Sequence, residues 1–143
     1  MSKCVFVYGS LLADEVVAAL LGRRPARAPA SVAGYARFAL KDVSYPSATH
    51  TGAGLLSGSL LRGLDDAELS TLDAFEGDEY VSRVVDAELE GGERVSCIVY
   101  EWAGGAERQH GEWSYESWRA QHLNTFVASC ERWAAAHKDA AGR

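Results

Sequence analysis

One acidic side chain lies among apolar ones in the segment AELSTLDAFEG, at a position suited to proton transfer. The segment has the composition of a helix, and at about 100° of rotation per residue Glu76 falls between Leu69 and Leu72 on the helical wheel. Burial of an ionised carboxylate is costly unless the carboxylate is paired or its pKa rises. Glu76 is therefore a candidate general acid or base with a raised pKa, held in an apolar cavity.

An ordinary ion pair is the alternative role for Glu76. The C-terminal end of the same helix, where the helix dipole favours cations, is crowded with carboxylates: Asp73, Glu76, Asp78 and Glu79. Arg83 follows shortly afterwards and could neutralise Glu76 or the acidic cluster. A tight contact with Arg83 would lower the pKa of Glu76 and weaken it as a base, so the residues alone leave both roles open.

The second candidate site is the turn formed by Tyr8, Gly9 and Ser10, which follows the strand-like run CVFV. Gly9 has no side chain to block close approach, and successive backbone N–H groups in a strand-to-helix turn can bind a carboxylate. Ser10 is also a candidate nucleophile. The GxSxG pattern is absent, however, and no histidine is evidently placed as a base, which favours Ser10 as a loop residue that acts through its backbone.

Strands and helices that would position these residues follow one another along the chain. Strand composition is found in five segments: 5–8, 31–40, 55–61, 80–89 and 94–101. The pair Gly91 and Gly92 separates the last two segments as a hairpin turn. The mixture of strands with few helices predicts an α+β fold, in which a closed or half-closed β structure carries the helices on its outside.

Capping residues mark the ends of the predicted helices. Asp14 is the predicted N-cap of a helix over 15–21, and Gly22 is its stop. The second helix is predicted to begin after Asp65 or Asp66 and to end at Gly77.

The third helix, which starts after Ser114, is predicted to bury one apolar stripe. Trp113 and Trp118 hold the two positions of a hydrophobic staple around this cap. The stripe recurs at spacings of four and three: Trp118, His122, Phe126, Cys130 and Trp133. His122 is therefore predicted to be a hydrogen-bonded core histidine, and residues 139–143 are predicted to form a frayed tail.

The composition indicates one soluble domain over residues 1–143, since a chain of this length can bury a core without disulfides. The longest apolar run is too short to span a bilayer and no leader pattern opens the sequence, which predicts a cytoplasmic protein without a membrane partner. The net charge of −6 argues against nucleic acid as a partner. The only dense basic segment, Arg23, Arg24 and Arg27, is interrupted by prolines, which favours a solvated loop over the alternative of a specific anion or partner contact.

The sequence does not suggest metal or disulfide chemistry. Cys4, Cys97 and Cys130 form an odd set without CxxC spacing, and we expect free thiols. The histidines have no ligand spacing, so no metal site and no cofactor is predicted.

Three segments together resemble the γ-glutamylcyclotransferase-like superfamily: VFVYGSLL at the N-terminus, YPS at 45–47 and LDAFEGDEYVSRVV at 72–85. The segment WSYESWRAQHL resembles the branch that contains avirulence-induced plant proteins and their relatives. The likeness extends from Val5 to about Trp133. It implies a small mixed β-barrel with flanking helices and a cavity at the barrel mouth.

The resemblance also implies an activity. Members that are enzymes cyclise a γ-glutamyl compound to 5-oxoproline and release its amine, so the implied partner is a small-molecule γ-glutamyl substrate. By motif, the catalytic glutamate falls on Glu76. The loop that holds the glutamyl head group falls on Tyr8, Gly9, Ser10 and Leu11.

Further substrate-binding candidates are Tyr45, Tyr80 and Arg83. The hydroxyls of Tyr8, Tyr45 and Tyr80 could orient the substrate, although each is also an ordinary strand or core aromatic. The pocket for the released amine is expected from loops at 46–54 and 103–112. A module that binds a small molecule or a partner without turnover is the alternative function on the same fold.

Overall fold

The computed structural model describes residues 3–141, with side chains over 3–138. The strands in this part of the chain are β1 Lys3–Val7, β2 Arg27–Leu40, β3 Pro46–Leu64, β4 Tyr80–Leu89, β5 Arg94–Trp102 and β6 Gln109–His110. The α-helices are α1 Asp14–Leu21, α2 Asp66–Glu76 and α3 Tyr115–Ala141. Short 3-10 turns lie at Ser10–Leu12 and Ala106–Arg108. The five predicted strand segments and three predicted helices are all present.

Five of the strands close into a mixed barrel. Their order is β3-β1-β5-β4-β2, and β2 pairs back onto β3 to complete the circle. Strands β1 and β5 are parallel, whereas the other neighbours are antiparallel. The short β6 extends the sheet beside the end of β2. With three helices outside the barrel, the predicted α+β barrel fold is confirmed.

Alternation along β1 separates the inside of the barrel from the side covered by helices. Val5 and Val7 belong to a buried cluster that includes residues of α1, α2 and α3. Phe6 and Tyr8 belong to a second cluster whose buried members are otherwise strand residues. Because successive strand side chains point to opposite faces, Tyr8 is directed into the barrel at the point where β1 ends.

Helix α2, which carries Glu76, has defined ends. Asp65 is its N-cap: the Glu68 backbone N donates to Asp65 Oδ1 at 2.7 Å, and the Glu68 side chain completes a capping box. Gly77 ends the helix with φ 74°, a conformation that glycine adopts at little cost. Both ends were predicted, so the position of Glu76 on the last turn follows directly from local sequence.

The predicted N-cap of α1 is wrong. Ala13 occupies the cap position and makes no side-chain cap, while Asp14 is already helical. The Asp14 carboxylate instead accepts from Arg27 Nε at 2.9 Å. Gly22 ends the helix with φ 79°, as predicted.

The prediction of a solvated loop holds for only part of the basic segment, since Arg23 and Arg24 are exposed between α1 and β2 but Arg27 lies outside this loop. Arg27 lies in β2, and Arg23 Nε is 2.6 Å from Glu68 Oε2. Acidic groups of α1 and α2 therefore hold two of its arginines in place.

Two tryptophans at the start of helix α3 attach this end of the helix to the turn between β2 and β3. The predicted staple is present, with the Trp113 and Trp118 rings 6.1 Å apart, and both indole N–H groups donate to Ser44.

His122 is exposed, so the prediction that it is a core histidine is wrong. At about 100° per residue it lies about 80° from the buried Cys130, at the edge of the buried face.

Two further expectations concern the C-terminal tail and membrane-spanning helices. The helix backbone is described to Ala141, whereas the side chains of the predicted frayed tail at 139–143, and all of 142–143, lie outside the described residues. Within the described helices, none is both long and apolar enough to cross a bilayer.

Gly58 of β3 packs closely against β1, and we expect Gly58→Ala to destabilise the barrel. An added Cβ would lie 2.2 Å from the Val7 carbonyl oxygen and 2.9 Å from the Phe6 ring, so backbone must shift. We expect a loss of about 1–3 kcal/mol in the free energy of unfolding, measured by chemical denaturation. Ser57→Ala, at an exposed neighbouring position, is the control. Equal stability of the two variants would contradict this close packing.

Candidate active site

A cavity of about 390 Å³ lies where β1 ends, between α2, α3 and the barrel. All of the predicted site residues except Arg83 line it: Tyr8, Gly9, Ser10, Leu11, Tyr45, Glu76 and Tyr80. These residues come from distant parts of the sequence, so the fold brings the predicted loop and the predicted carboxylate to one cavity. Their roles in chemistry stay predictions.

Glu76 is half-buried at the last residue of α2 and lines the cavity. Burial of the carboxyl group raises its pKa to about 8, and the carboxylate of Asp73 one turn earlier raises it further in the same direction. Over residues 3–138, no cationic side chain forms an ion pair with Glu76. The carboxyl group is therefore neutral over much of the physiological pH range and can exchange a proton near neutrality.

Arg83 is not in this cavity, which corrects its prediction as a substrate-binding residue or as the partner of Glu76. Its Nε lies 3.8 Å from Glu101 Oε2, in a separate groove beside β2 and β4. The physical reason is strand alternation: Tyr80 and Arg83 are an odd number of residues apart on β4, so their side chains leave opposite faces.

Tyrosine hydroxyls around the cavity are already engaged by the protein. Tyr8 Oη donates to the Tyr100 carbonyl at 2.6 Å, and Tyr80 Oη donates to the Pro46 carbonyl at 2.7 Å. Tyr100 Oη donates to Asp73 Oδ1 at 2.5 Å. Burial raises the pKa of all three phenols above the usual value, so they remain neutral. These three side chains shape the cavity. Tyr45, which is half-buried, is the fourth tyrosine of its lining.

Two arginines of β2 hold the backbone of the loop formed by Tyr8, Gly9, Ser10 and Leu11, here called the 8–11 loop. Arg37 Nη1 donates to the Tyr8 carbonyl at 2.8 Å, and Arg27 Nη2 donates to the Leu11 carbonyl at 3.0 Å. The Leu12 amide donates to the Gly9 carbonyl, which starts the 3-10 turn. The amides at the start of such a turn have no acceptor within the turn, which is an arrangement that can bind an anionic group.

Gly9 has a steric role in this loop. A Cβ at this position would lie 2.8 Å from the Pro46 ring. Pro46 lines the cavity, and its carbonyl accepts the Tyr80 hydrogen bond. Any larger residue than glycine would therefore displace the loop, Pro46 or both.

Sequence reasoning missed the wall of the cavity that α3 supplies. Four residues of one helix face, here called the α3 wall, line it: Phe126, Ser129, Cys130 and Trp133. The predicted loop at 103–112 contributes no lining residue, and the predicted 46–54 segment contributes only Pro46. The apolar stripe of α3 is visible in the sequence and could have indicated this wall. However, a stripe that packs against a core and a stripe that lines a cavity have the same spacing.

Comparisons with known proteins show the family of this chain. The family model described as "Gamma-glutamyl cyclotransferase, AIG2-like" matches residues 5–120. Protein AIG2 C of Arabidopsis thaliana is 37% identical over 128 residues, covering 88% of this chain and 78% of the relative. The chain belongs to the AIG2-like gamma-glutamyl cyclotransferase family.

Solved structures of similar proteins share the barrel fold of this AIG2-like chain. The solution structure of an Arabidopsis thaliana protein matches with a TM-score of 0.72 at 34% identity, over 99% of this chain and 87% of the other. A structure named gamma-glutamyl cyclotransferase matches with a TM-score of 0.64 at 17% identity, over 71% and 67% of the two chains. The second likeness concerns the fold alone. The AIG2-like match ends at residue 120, before the α3 wall begins.

We expect Asp73→Asn to lower the pKa of Glu76 without restoring an ordinary value. The variant removes the negative charge beside Glu76 but keeps an oxygen that can accept from Tyr100 Oη. Because burial is the larger cause of the raised pKa, the midpoint should move from about 8 toward acid yet stay above 4.5. Carboxyl ¹³C NMR titration measures this midpoint, and Glu76→Gln identifies the signal.

Asp66→Asn is the matched control for this titration, because it removes one carboxylate from the first turn of the same helix. An equal shift in Asp66→Asn and Asp73→Asn would mean that net charge, and not the neighbouring carboxylate, sets the effect.

Proposed function

We propose that this protein is an enzyme of the γ-glutamylcyclotransferase type, which cyclises a γ-glutamyl amine or peptide to 5-oxoproline and releases the amine. The observation that carries the proposal is a half-buried carboxyl group, Glu76, with a pKa raised to about 8, in the same cavity as the amides of the 8–11 loop. The family model that matches residues 5–120, described as "Gamma-glutamyl cyclotransferase, AIG2-like", supports the same reaction class.

Glu76 has the chemistry of a proton shuttle for this reaction. The substrate's α-ammonium loses a proton to the Glu76 carboxylate, and the free α-nitrogen attacks the γ-carbonyl carbon. A C–N bond forms to close the lactam, and the C–N bond to the leaving amine breaks. Of the three protons on the α-nitrogen one stays on the lactam, while two end on the departing amine, which leaves as an ammonium.

The raised pKa suits Glu76 to this transfer. A carboxylate of ordinary pKa takes a proton from an ammonium only uphill, by about 1.4 kcal/mol for each unit of pKa difference. A Glu76 pKa of about 8 instead of 4.5 removes much of this cost. The bound α-ammonium is also the cationic partner that Glu76 lacks among the described side chains, so substrate binding favours the carboxylate form that acts as base.

The 8–11 loop is proposed to bind the substrate's α-carboxylate. Its amides supply hydrogen-bond donors, and Arg27 and Arg37 hold the flanking carbonyls away from the substrate. The side chain of Ser10 is buried, and only its backbone needs to act. This division of roles gives Glu76 the chemistry and the loop the binding.

We expect Glu76→Gln to abolish formation of 5-oxoproline, with a loss of about 10²–10⁴-fold or more in kcat, because the amide cannot accept the proton. Ser10→Ala is the comparison and should impair binding only modestly. Purified protein is incubated with γ-glutamyl amines, γ-glutamyl dipeptides and glutathione, and 5-oxoproline is measured by chromatography. Turnover by Glu76→Gln at the wild-type rate would rule out this mechanism. If wild type yields no 5-oxoproline from any of them, the non-catalytic binding module becomes the function.

The pH dependence of kcat/KM provides a separate test of Glu76 as the base. Reaction requires the carboxylate in the free enzyme, so kcat/KM should fall as the pH drops below about 8. Asp73→Asn should move this acidic limb to lower pH, whereas Ser10→Ala should leave its midpoint in place. An acidic limb near 4.5 in wild type would contradict the raised pKa.

A further inference from the structure

We infer that the amine released by this enzyme is an apolar monoamine with an aromatic group and without a carboxylate of its own. This inference rests on the proposed function and adds the class of leaving group. It is drawn from the charges, donors and ring geometry of the cavity.

The charge of the cavity argues against a leaving group with a second carboxylate. Glu76 is its only acidic lining residue, and no lysine, arginine or histidine of the described chain lines it. The α-carboxylate of the γ-glutamyl group can use the amides of the 8–11 loop. A further carboxylate on the leaving group would be desolvated without a cation beside it.

The hydrogen-bond donors left for a second carboxylate are few, and all of them are uncharged. The hydroxyls of Tyr8, Tyr80 and Tyr100 already donate to protein acceptors. Burial raises the pKa of the Cys130 thiol to about 12, so this residue adds no charge and only a weak donor. Outside the loop, the other lining donors without a protein acceptor among the described residues are the hydroxyls of Tyr45 and Ser129 and the indole N–H of Trp133, and none of them carries a charge.

The α3 wall matches an aromatic group. Phe126, Cys130 and Trp133 recur on one face of α3. Phe75 from α2 lies edge-on to two of them, with ring centroids 6.3 Å from Phe126 and 5.3 Å from Trp133. Tyr45 is edge-on to Phe126 at 6.4 Å. An additional ring can continue this edge-to-face pattern, which favours aromatic pairs beyond their buried area.

A matched pair of substrates tests the inference. γ-Glutamyl-phenethylamine and γ-glutamyl-phenylalanine differ only in the carboxylate of the leaving group. We expect kcat/KM for the amine to exceed that for the amino acid by at least about tenfold, and γ-glutamyl-methylamine to fall below γ-glutamyl-phenethylamine. A γ-glutamyl-phenylalanine value equal to or above that of the amine overturns the inference but keeps the proposed function. Absence of 5-oxoproline from every compound overturns both.

A charge placed in the α3 wall gives the complementary test. Ser129 lines the cavity and is exposed enough to accept a longer side chain, so Ser129→Arg supplies the missing cation. We expect it to shift the preference toward γ-glutamyl-phenylalanine by about two- to fivefold. Thr125→Arg, exposed on the same helix but outside the cavity lining, is the matched control. Equal shifts in both variants would show long-range charge steering and overturn the assignment of the leaving group to this wall.

Discussion

The structure is organised around one unfavourable interaction, a carboxyl group placed in a largely apolar cavity without a cationic partner among the described side chains. Burial alone accounts for most of the rise in the Glu76 pKa, and Asp73 adds to it. The capping box at Asp65 and Gly77, with its positive φ of 74°, define the two ends of the helix and so place Glu76 on its last turn. The ends of α2 therefore position the carboxyl group that titrates near neutrality.

On the other side of the cavity, the proposed binding of a carboxylate depends on the backbone N–H groups of the 8–11 loop. Carbonyls of the 8–11 loop accept from Arg37 and Arg27, which β2 delivers from the adjoining part of the barrel. The arrangement has a cost, because Arg27 Nη1 is buried without a partner among the described residues. Asp14 balances the guanidinium charge, and this use of its carboxylate replaces the helix cap that its position suggested. The Asp14 carboxylate therefore supports the 8–11 loop through Arg27 and does not cap α1.

Local sequence predicted the elements and the central carboxylate because both depend on short-range periodicity. The helical wheel placed Glu76 among apolar side chains, and the capping residues placed the ends of α2. Arg83 was misplaced because Tyr80 and Arg83 were both assigned to the cavity, although strand alternation allows only one of them to face it and local sequence does not say which. The α3 wall was missed for a related reason: Phe126, Cys130 and Trp133 have core spacing whether or not a cavity lies in front of them.

The same carboxyl group links function to stability. Glu76 holds its proton more tightly in the folded protein than in the unfolded chain, where an ordinary pKa near 4.5 applies. Below pH 4.5 both states are protonated and the residue contributes no difference. Between about 4.5 and 8 only the folded state keeps the proton, so its contribution to stability falls as the pH rises and levels off above 8. In the proposed reaction the substrate's ammonium pairs with Glu76 and offsets this penalty, so substrate binding is coupled to ionisation of the carboxyl group.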